Sequence, residues 1–537
     1  MSFEIKYICK NVEKCKVLDE SGKFEDFGAE LIKTNDRLSF VIYPSNPIKL
    51  ISIRATLDYT FMKDDCLFLN GYQSWTDSHE MDVKSVMHGL RRVPRFVQKK
   101  YILRSYGDYD FTSYTGKKGE LHGFSYAYVR RNENYMLMGS LSERTGFTII
   151  YFDTNMNTIT LSKDCQGFMA NKPYNAFDIA LLYGREEEVF DKYFHMMDIE
   201  KPKAKPLTGY TSWYNHYQNI NEAIICKNIA AAASSPLKFD VFQIDDGYQT
   251  HVGDWTSVDK TKFPNGLSPI AEKIKASKIL PGLWLAPFAC EYNSTVAREH
   301  PQWLLKDADG KPKKAGCNWG GFYALDFYNK EVREYIRECF DTAIHKWGFG
   351  LLKLDFLYAA CLAPDEHHTR GQVMCEAMDF LRECAGDALL LGCGVPLAPA
   401  FGKVDYCRIG CDVGLDYDDK PYMRLLHRER VSTKNSIGNT IYRRQLSGRA
   451  FINDPDVFLL RDDNIKLSKK QKLLLTKVNS LFGGVLFTSD DISTYNSWQM
   501  EVLMRTLDRE KQSETKILKK GKFTYIITDT GTIKIKL

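Results

Sequence analysis

Between residues 207 and 490 one pattern recurs: a short apolar run, a polar or charged residue at its far end, and then, in most cases, a helix-forming stretch. The runs are "LTGYTSWY", "FDVFQIDDG", "ILPGLWLAP", "GLLKLDF", "ALLLGCG", "DYCRIGCD", "RAFINDPDV" and "GGVLFTSDD". Segments such as "NEAIICKNIAAAASS", "KEVREYIRECFDTAIHKWG" and "TRGQVMCEAMDFLRECAG" separate most of them. Eight strands alternating with helices predict a (β/α)8 barrel over residues 207–506. A doubly wound open sheet is the alternative, but no Gly-rich phosphate loop follows any strand.

The flanks read differently. Residues 1–184 hold short runs rich in Ile, Tyr, Phe and Thr, among them "FEIKYI", "RLSFVIYP", "IKLISIRATLDYT", "FTIIYFD" and "FDIALLYG", split by Asn, Gly and Asp turns. That is the pattern of an antiparallel β-sandwich. "FLNGYQSWTDSHE", Phe68 to Glu80, breaks it and reads as a long loop whose Trp75 and Asp77 are placed to reach a neighbouring cleft. A helix, "REEEVFDKYFHMMDI", and a Lys/Pro linker fill 185–206, and 507–537 reads as a small β-meander packed on the barrel. The fold expected is thus multidomain: N-terminal sandwich, central TIM barrel and small C-terminal β-domain.

Composition narrows the function. With 73 basic and 68 acidic residues and no long run of one sign, no nucleic-acid or membrane-surface footprint is visible. "KILKKGK", Lys516 to Lys522, is most simply a solvated hairpin. No leader and no bilayer-length apolar run is present, which implies a cytoplasmic protein. The 14 cysteines show no repeated metal or disulfide spacing and read as small apolar core residues.

In a barrel of this kind chemistry sits at the C-terminal strand ends. There the sequence places Trp213 and Tyr214, Asp245 and Asp246, Trp284, Lys353 and Asp355, Cys393, Arg408 and Asp412, Asp454 and Asp456, and Asp490. A packed barrel has no need of so many acids at one end, so they are expected to form one site. Carboxylates with tryptophans and few histidines suit a neutral polyhydroxylated ligand, a sugar. His367 and His368 begin a helix and read as cap or surface residues. Paired carboxylates cleave glycosidic bonds, one as nucleophile and one as acid and base. Asp355 fits the nucleophile, with Lys353 two residues away on the same face favouring its ionised form. Asp412 fits the acid/base, in a setting that offers few compensating hydrogen bonds.

The motifs "FQIDDGYQTHVGDWTSVDKTKFPNGLSPIAEKIKASKILPGLWLAPF", "HPQWLL", "YALDF" and "LLKLDF", in that order, resemble glycoside hydrolase family 36, the α-galactosidases and their relatives. "GYTSWYNHY", "GCGVPLAPAFGKVDYCRIGCDV", "NDPDVFLL" and "NGYQSW" extend the resemblance through the barrel and into the sandwich. The resemblance implies a retaining, exo-acting α-galactosidase without cofactor or metal. By motif position it implies Asp355 as nucleophile and Asp412 as acid/base. It implies Asp245 and Asp246 on the galactose O4 and O6, Lys353 on ring hydroxyls, and Arg408 near O2. Trp284 and Cys393 fall at pocket-wall positions and Trp75 at a loop that closes the pocket; Trp213, at the first strand end, joins the substrate-binding set. Two segments depart from the common pattern, "GCDV" and "GCGVPL", both facing O2 and the leaving group. Galactose and N-acetylgalactosamine both stay open, as do hydrolysis and raffinose-synthase-like transfer, with a non-catalytic sugar-binding protein the reading from another class. The expected partner is an α-galactoside oligosaccharide or glycoconjugate, and a homo-oligomer is compatible.

Overall fold

The structure, a computed structural model, describes residues 1–418, 420, 422–508 and 515–537. At its centre are eight parallel strands: β1 Leu207–Thr211, β2 Val241–Ile244, β3 Leu280–Leu285, β4 Leu351–Leu354, β5 Leu389–Gly392, β6 Tyr406–Arg408, β7 Ile452–Asp454 and β8 Val485–Thr488. They pair in the order β7-β6-β5-β4-β3-β2-β1-β8. The Gly484 N–H donates to the Asn453 carbonyl at 2.8 Å and Phe458 bridges Thr488, which draws β7 against β8 and nearly closes the barrel. Both faces of these strands are covered, by helices outside and by packed side chains inside, so β2, β4 and β8 are buried at every residue and are mostly apolar, each broken by a single polar residue, Gln243, Lys353 or Thr488. Gly209 in β1 has a physical reason: a Cβ there would stand 2.5 Å from the Val241 carbonyl oxygen.

Ahead of the barrel two antiparallel sheets face each other. One runs from Val12–Leu18 through Ser2–Cys9 and Ile48–Asp58 to Glu120–Phe124, the other from Gly22–Lys23 through Arg37–Pro44 and Tyr174–Gly184 to Met81–Asp82. Strict alternation, as along Ser2–Cys9, sends Phe3, Ile5, Phe40, Ile42, Ile53 and Leu161 into the space between them. Helix Glu186–Met196 and an irregular stretch lead to β1. Strands Lys516–Lys520, Phe523–Thr528 and Gly531–Lys536 form the terminal meander, with the hairpin expected at "KILKKGK". It rests on barrel helix Thr433–Tyr442, where the Thr524 and Tyr442 hydroxyls meet at 2.8 Å.

Candidate active site

Strand ends β1 to β4 supply the floor of a cavity of about 250 Å³. Lys353 Nζ lies 2.9 Å from Asp245 Oδ2 and 4.0 Å from Asp355 Oδ2, so its tighter partner comes from β2, across β3, and not from its own strand. Asp245 Oδ2 also accepts from Gln243 Nε2 at 2.7 Å and Thr211 Oγ1 at 3.3 Å, and Oδ1 accepts the Asp246 N–H at 3.0 Å. Asp355 takes the Phe356 N–H on Oδ1 at 2.8 Å and the Trp284 indole N–H on Oδ2 at 3.1 Å. Phe356 reaches that position with φ 53°, a conformation costly for a residue bearing a Cβ and concentrated at functional sites.

Burial decides the charge balance at this floor. It raises the pKa of Asp355 above the ordinary carboxylate value; Lys353 pulls it down, Asp412 pushes it up, and the Trp284 N–H favours the ionised form. Lys353 therefore favours the ionised form, as expected, and restrains the shift without reversing it. For Lys353 itself burial works against the ammonium, yet Asp245 and Asp355 more than offset it and its pKa lies above the usual lysine range. Asp246 is pushed up to about 6, chiefly by burial, although Gln249, Trp319 and Gln218 donate to it at 2.6, 2.8 and 3.0 Å.

Asp412 faces the same cavity, with its side chain 36% exposed. It accepts one side-chain hydrogen bond, from Arg408 Nη1 at 2.9 Å, against two on Asp355, so compensating hydrogen bonds are few, as expected. Arg408 is buried and also meets Asp454 at 3.2 Å and Asp456 at 2.8 Å. One guanidinium thus serves three carboxylates, and burial with Asp412 and Asp454 nearby pushes Asp456 up to about 7 against the pull of Arg408. Asp490 holds Arg461 at 2.7 Å and accepts the Leu460 and Arg461 N–H groups. Asp454, Asp456 and Asp490 therefore do not line the cavity: acids at these strand ends tie loops together, a structural purpose that the expectation of a single site had denied them.

The sandwich completes the wall. The loop after Leu69 lays Trp75 across the strand ends, its Nε1 donating to Cys393 Sγ at 3.3 Å and its ring meeting Phe356 edge-on at 5.1 Å. Gly394, at φ 56°, allows this approach, since a Cβ there would stand 2.9 Å from the Trp75 ring. Trp75, Trp213, Asp245, Asp246, Trp284, Lys353, Asp355 and Asp412 line the cavity, while Cys393 and Arg408 stand behind its wall. Residues that sequence reasoning missed also line it, chiefly Trp319, Tyr106, His427 and Glu429. Trp319, at φ 55°, sits in "NWGGF", where an aromatic residue before two glycines was the available signal. Tyr106 and His427 stack at 5.5 Å from loops far apart in sequence, and nothing periodic marks them. His367 and His368 lie elsewhere, ahead of helix Arg370–Ala385, with His368 stacked on Tyr328. Among the described residues no three His, Cys, Asp or Glu side chains converge to hold a metal, and no helix is long and apolar enough to cross a membrane.

Comparison with known proteins bears on this geometry. The profile of the Melibiase family matches residues 199–370. α-Galactosidase Mel36A of Lactobacillus acidophilus is 28% identical over 235 residues, which cover 41% of this chain and 30% of that protein. α-Galactosidase AgaA of Geobacillus stearothermophilus is 24% identical over 362 residues, covering 64% of this chain and 45% of that protein. The chain therefore spans less than half the length of these curated relatives. Among solved structures, TtGalA, an α-galactosidase from Thermus thermophilus in complex with p-nitrophenyl α-D-galactopyranoside, superposes with a TM-score of 0.74 at 27% identity, covering 94% of this chain and 98% of that one. Family profile, relatives and whole-chain superposition agree with the motif order, and the chain is similar to α-galactosidases over its whole barrel and sandwich.

Proposed function

We propose that the chain hydrolyses terminal α-linked galactosides with retention, by double displacement through a covalent glycosyl-aspartate on Asp355. The supporting observation is that Asp355 and Asp412 face one cavity with Lys353, Trp284, Asp245 and Asp246. About 250 Å³ is just below the roughly 300–1,000 Å³ usual for small-molecule sites, which suits one sugar ring. In this reading Asp245, Asp246 and Lys353 hold ring hydroxyls, and Trp284, Trp319 and Trp75 offer ring faces to the C–H side of the sugar. The Asp355 carboxylate attacks the anomeric carbon as protonated Asp412 gives its proton to the departing glycosidic oxygen. Water then attacks the same carbon, Asp412 takes its proton, and the bond to Asp355 breaks. Arg408 and Cys393 act as positioning residues, the first through Asp412 and the second through Trp75.

The test is release of p-nitrophenol from a panel of aryl α- and β-glycosides that includes the α-galactoside, α-N-acetylgalactosaminide and α-glucoside. Turnover of the α-galactoside, falling at least about 10³-fold in Asp355→Ala and partly restored by azide with inversion, is the expected result. Undiminished turnover in Asp355→Ala, or none of any substrate by the unaltered protein, would overturn the reading.

A further inference from the structure

Asp456, two residues past the end of β7, stands at φ 75°, a conformation costly for a residue bearing a Cβ and concentrated at functional sites. That backbone sets one buried carboxylate against two other strand ends. Its Oδ2 accepts the Val413 N–H at 2.7 Å and the Tyr214 O–H at 2.5 Å, and its Oδ1 lies 2.8 Å from Arg408 Nη2. Val413 follows Asp412 in the chain, Tyr214 follows Trp213, and Arg408 donates to Asp412 itself. Asp456 is outside the cavity, yet it holds both the backbone next to Asp412 and the guanidinium that Asp412 accepts from.

A guanidinium beside a carboxylate favours the ionised form. Arg408 alone would therefore oppose an acid that must carry a proton to a departing oxygen. Asp454 at 3.2 Å and Asp456 at 2.8 Å divide its charge in a buried place, where water screens little. Asp456 is faced by Arg408 and Asp412 from the end of β6, by Asp454 from its own strand and by Tyr214 from beyond β1. Burial, with Asp412 and Asp454, outweighs the pull of Arg408 and the Tyr214 hydroxyl, so Asp456 ionises only near neutrality, at about 7. Its negative charge arrives in the pH range where a carboxylic acid catalyst is losing its proton. Asp412 is also within electrostatic reach of Asp355, Cys393, Tyr214, Tyr217 and Cys411, and none of these supplies a second cation.

We propose that Asp456 is a positioning residue for the acid/base Asp412. Acting through Arg408 and the Val413 N–H, it fixes that carboxyl and offsets the guanidinium charge, so that Asp412 delivers a proton to a poor leaving group at and above neutral pH. The inference rests on the galactoside reading and goes beyond it, since it gives a part in the chemistry to an acid that the substrate never touches.

The experiment is the pH profile of kcat/KM for two substrates: a galactosyl-α-1,6-glucose disaccharide, whose alkoxide needs a proton to leave, and p-nitrophenyl α-galactoside, whose phenolate needs little help. Asp456→Asn keeps the shape and an acceptor for the Val413 and Tyr214 donors, and removes the charge. With the disaccharide its basic limb is expected about one pH unit below that of the unaltered protein, a loss of roughly tenfold at pH 8, with a smaller shift for the aryl substrate. A purely structural role would lower both substrates alike at every pH. If Asp456→Asn fails to fold, Tyr214→Phe carries the test: it takes one donor from the Asp456 carboxylate, and a shift in the same direction with roughly threefold loss at pH 8 is expected. An unmoved basic limb in a folded, active variant, or equal losses on both substrates, would overturn the inference and leave the galactoside reading standing. No turnover of either substrate by the unaltered protein would overturn both.

Discussion

The ionisation of Asp355 rests on a small set of opposing contacts, and each makes a separable contribution. Burial favours the neutral acid, while Lys353 at 4.0 Å and the Trp284 indole N–H at 3.1 Å favour the carboxylate. A nucleophile acts only when ionised, so activity under the proposed mechanism falls as pH drops through its pKa. Trp284→Phe keeps an aromatic wall and removes only the donor. The acid limb of kcat/KM should then move upward by roughly one to two pH units, because a hydrogen bond to a charged group is worth about 1.5–3 kcal/mol. A downward shift, or an unchanged limb in a folded variant, would show that the indole does not stabilise the ionised form.

At the scale of the element, Arg443 at the end of helix Thr433–Tyr442 pins the Trp75 loop to the barrel. Its guanidinium, buried and without a carboxylate partner among the described residues, donates to Asn70 Oδ1, Ser78 Oγ and the carbonyls of Gln73, Ser74 and Ile409 at 2.6–3.2 Å. Burial lowers its pKa to about 10, so the fold holds a cation here at some cost for the sake of those acceptors. Arg443→Met would strand them without water, and a loss of about 3–5 kcal/mol is expected in urea unfolding. A loss below about 1 kcal/mol would mean that the loop finds other donors. This pinning was not legible in the sequence, whereas the eight barrel strands were. A strand buried on both faces announces itself as a largely apolar run, and Leu351–Leu354 is one such run around the single charge of Lys353. Arg443 joins partners some 370 positions upstream, and no local period records so distant a contact. The same reason hid Tyr106 and His427, while Asp355 and Asp245 were visible because barrel topology ties strand ends to chemistry.

Across the whole molecule, the sandwich keeps its own core between its sheets, while its barrel-facing side packs into the core of the barrel. Phe68, Tyr126 and Phe190 belong to the same buried cluster as Leu283, Leu352 and Leu391, and Arg370 spans to Asp164 with two hydrogen bonds. Far-UV circular dichroism, which sees both parts, and tryptophan fluorescence should therefore report one coincident thermal transition. Of the eight tryptophans only Trp75 precedes the linker, so fluorescence follows the barrel, and a separate earlier step seen by dichroism alone would show the sandwich unfolding independently. The cavity's floor carries a last consequence. Packed barrel side chains lie beneath Lys353 and Asp355 and close the floor of this space. Under the proposed function, a polysaccharide decorated with galactose stubs would be trimmed at its tips while its backbone kept its length. Sugar would be liberated in proportion to the number of tips, and the solution would lose little of its viscosity.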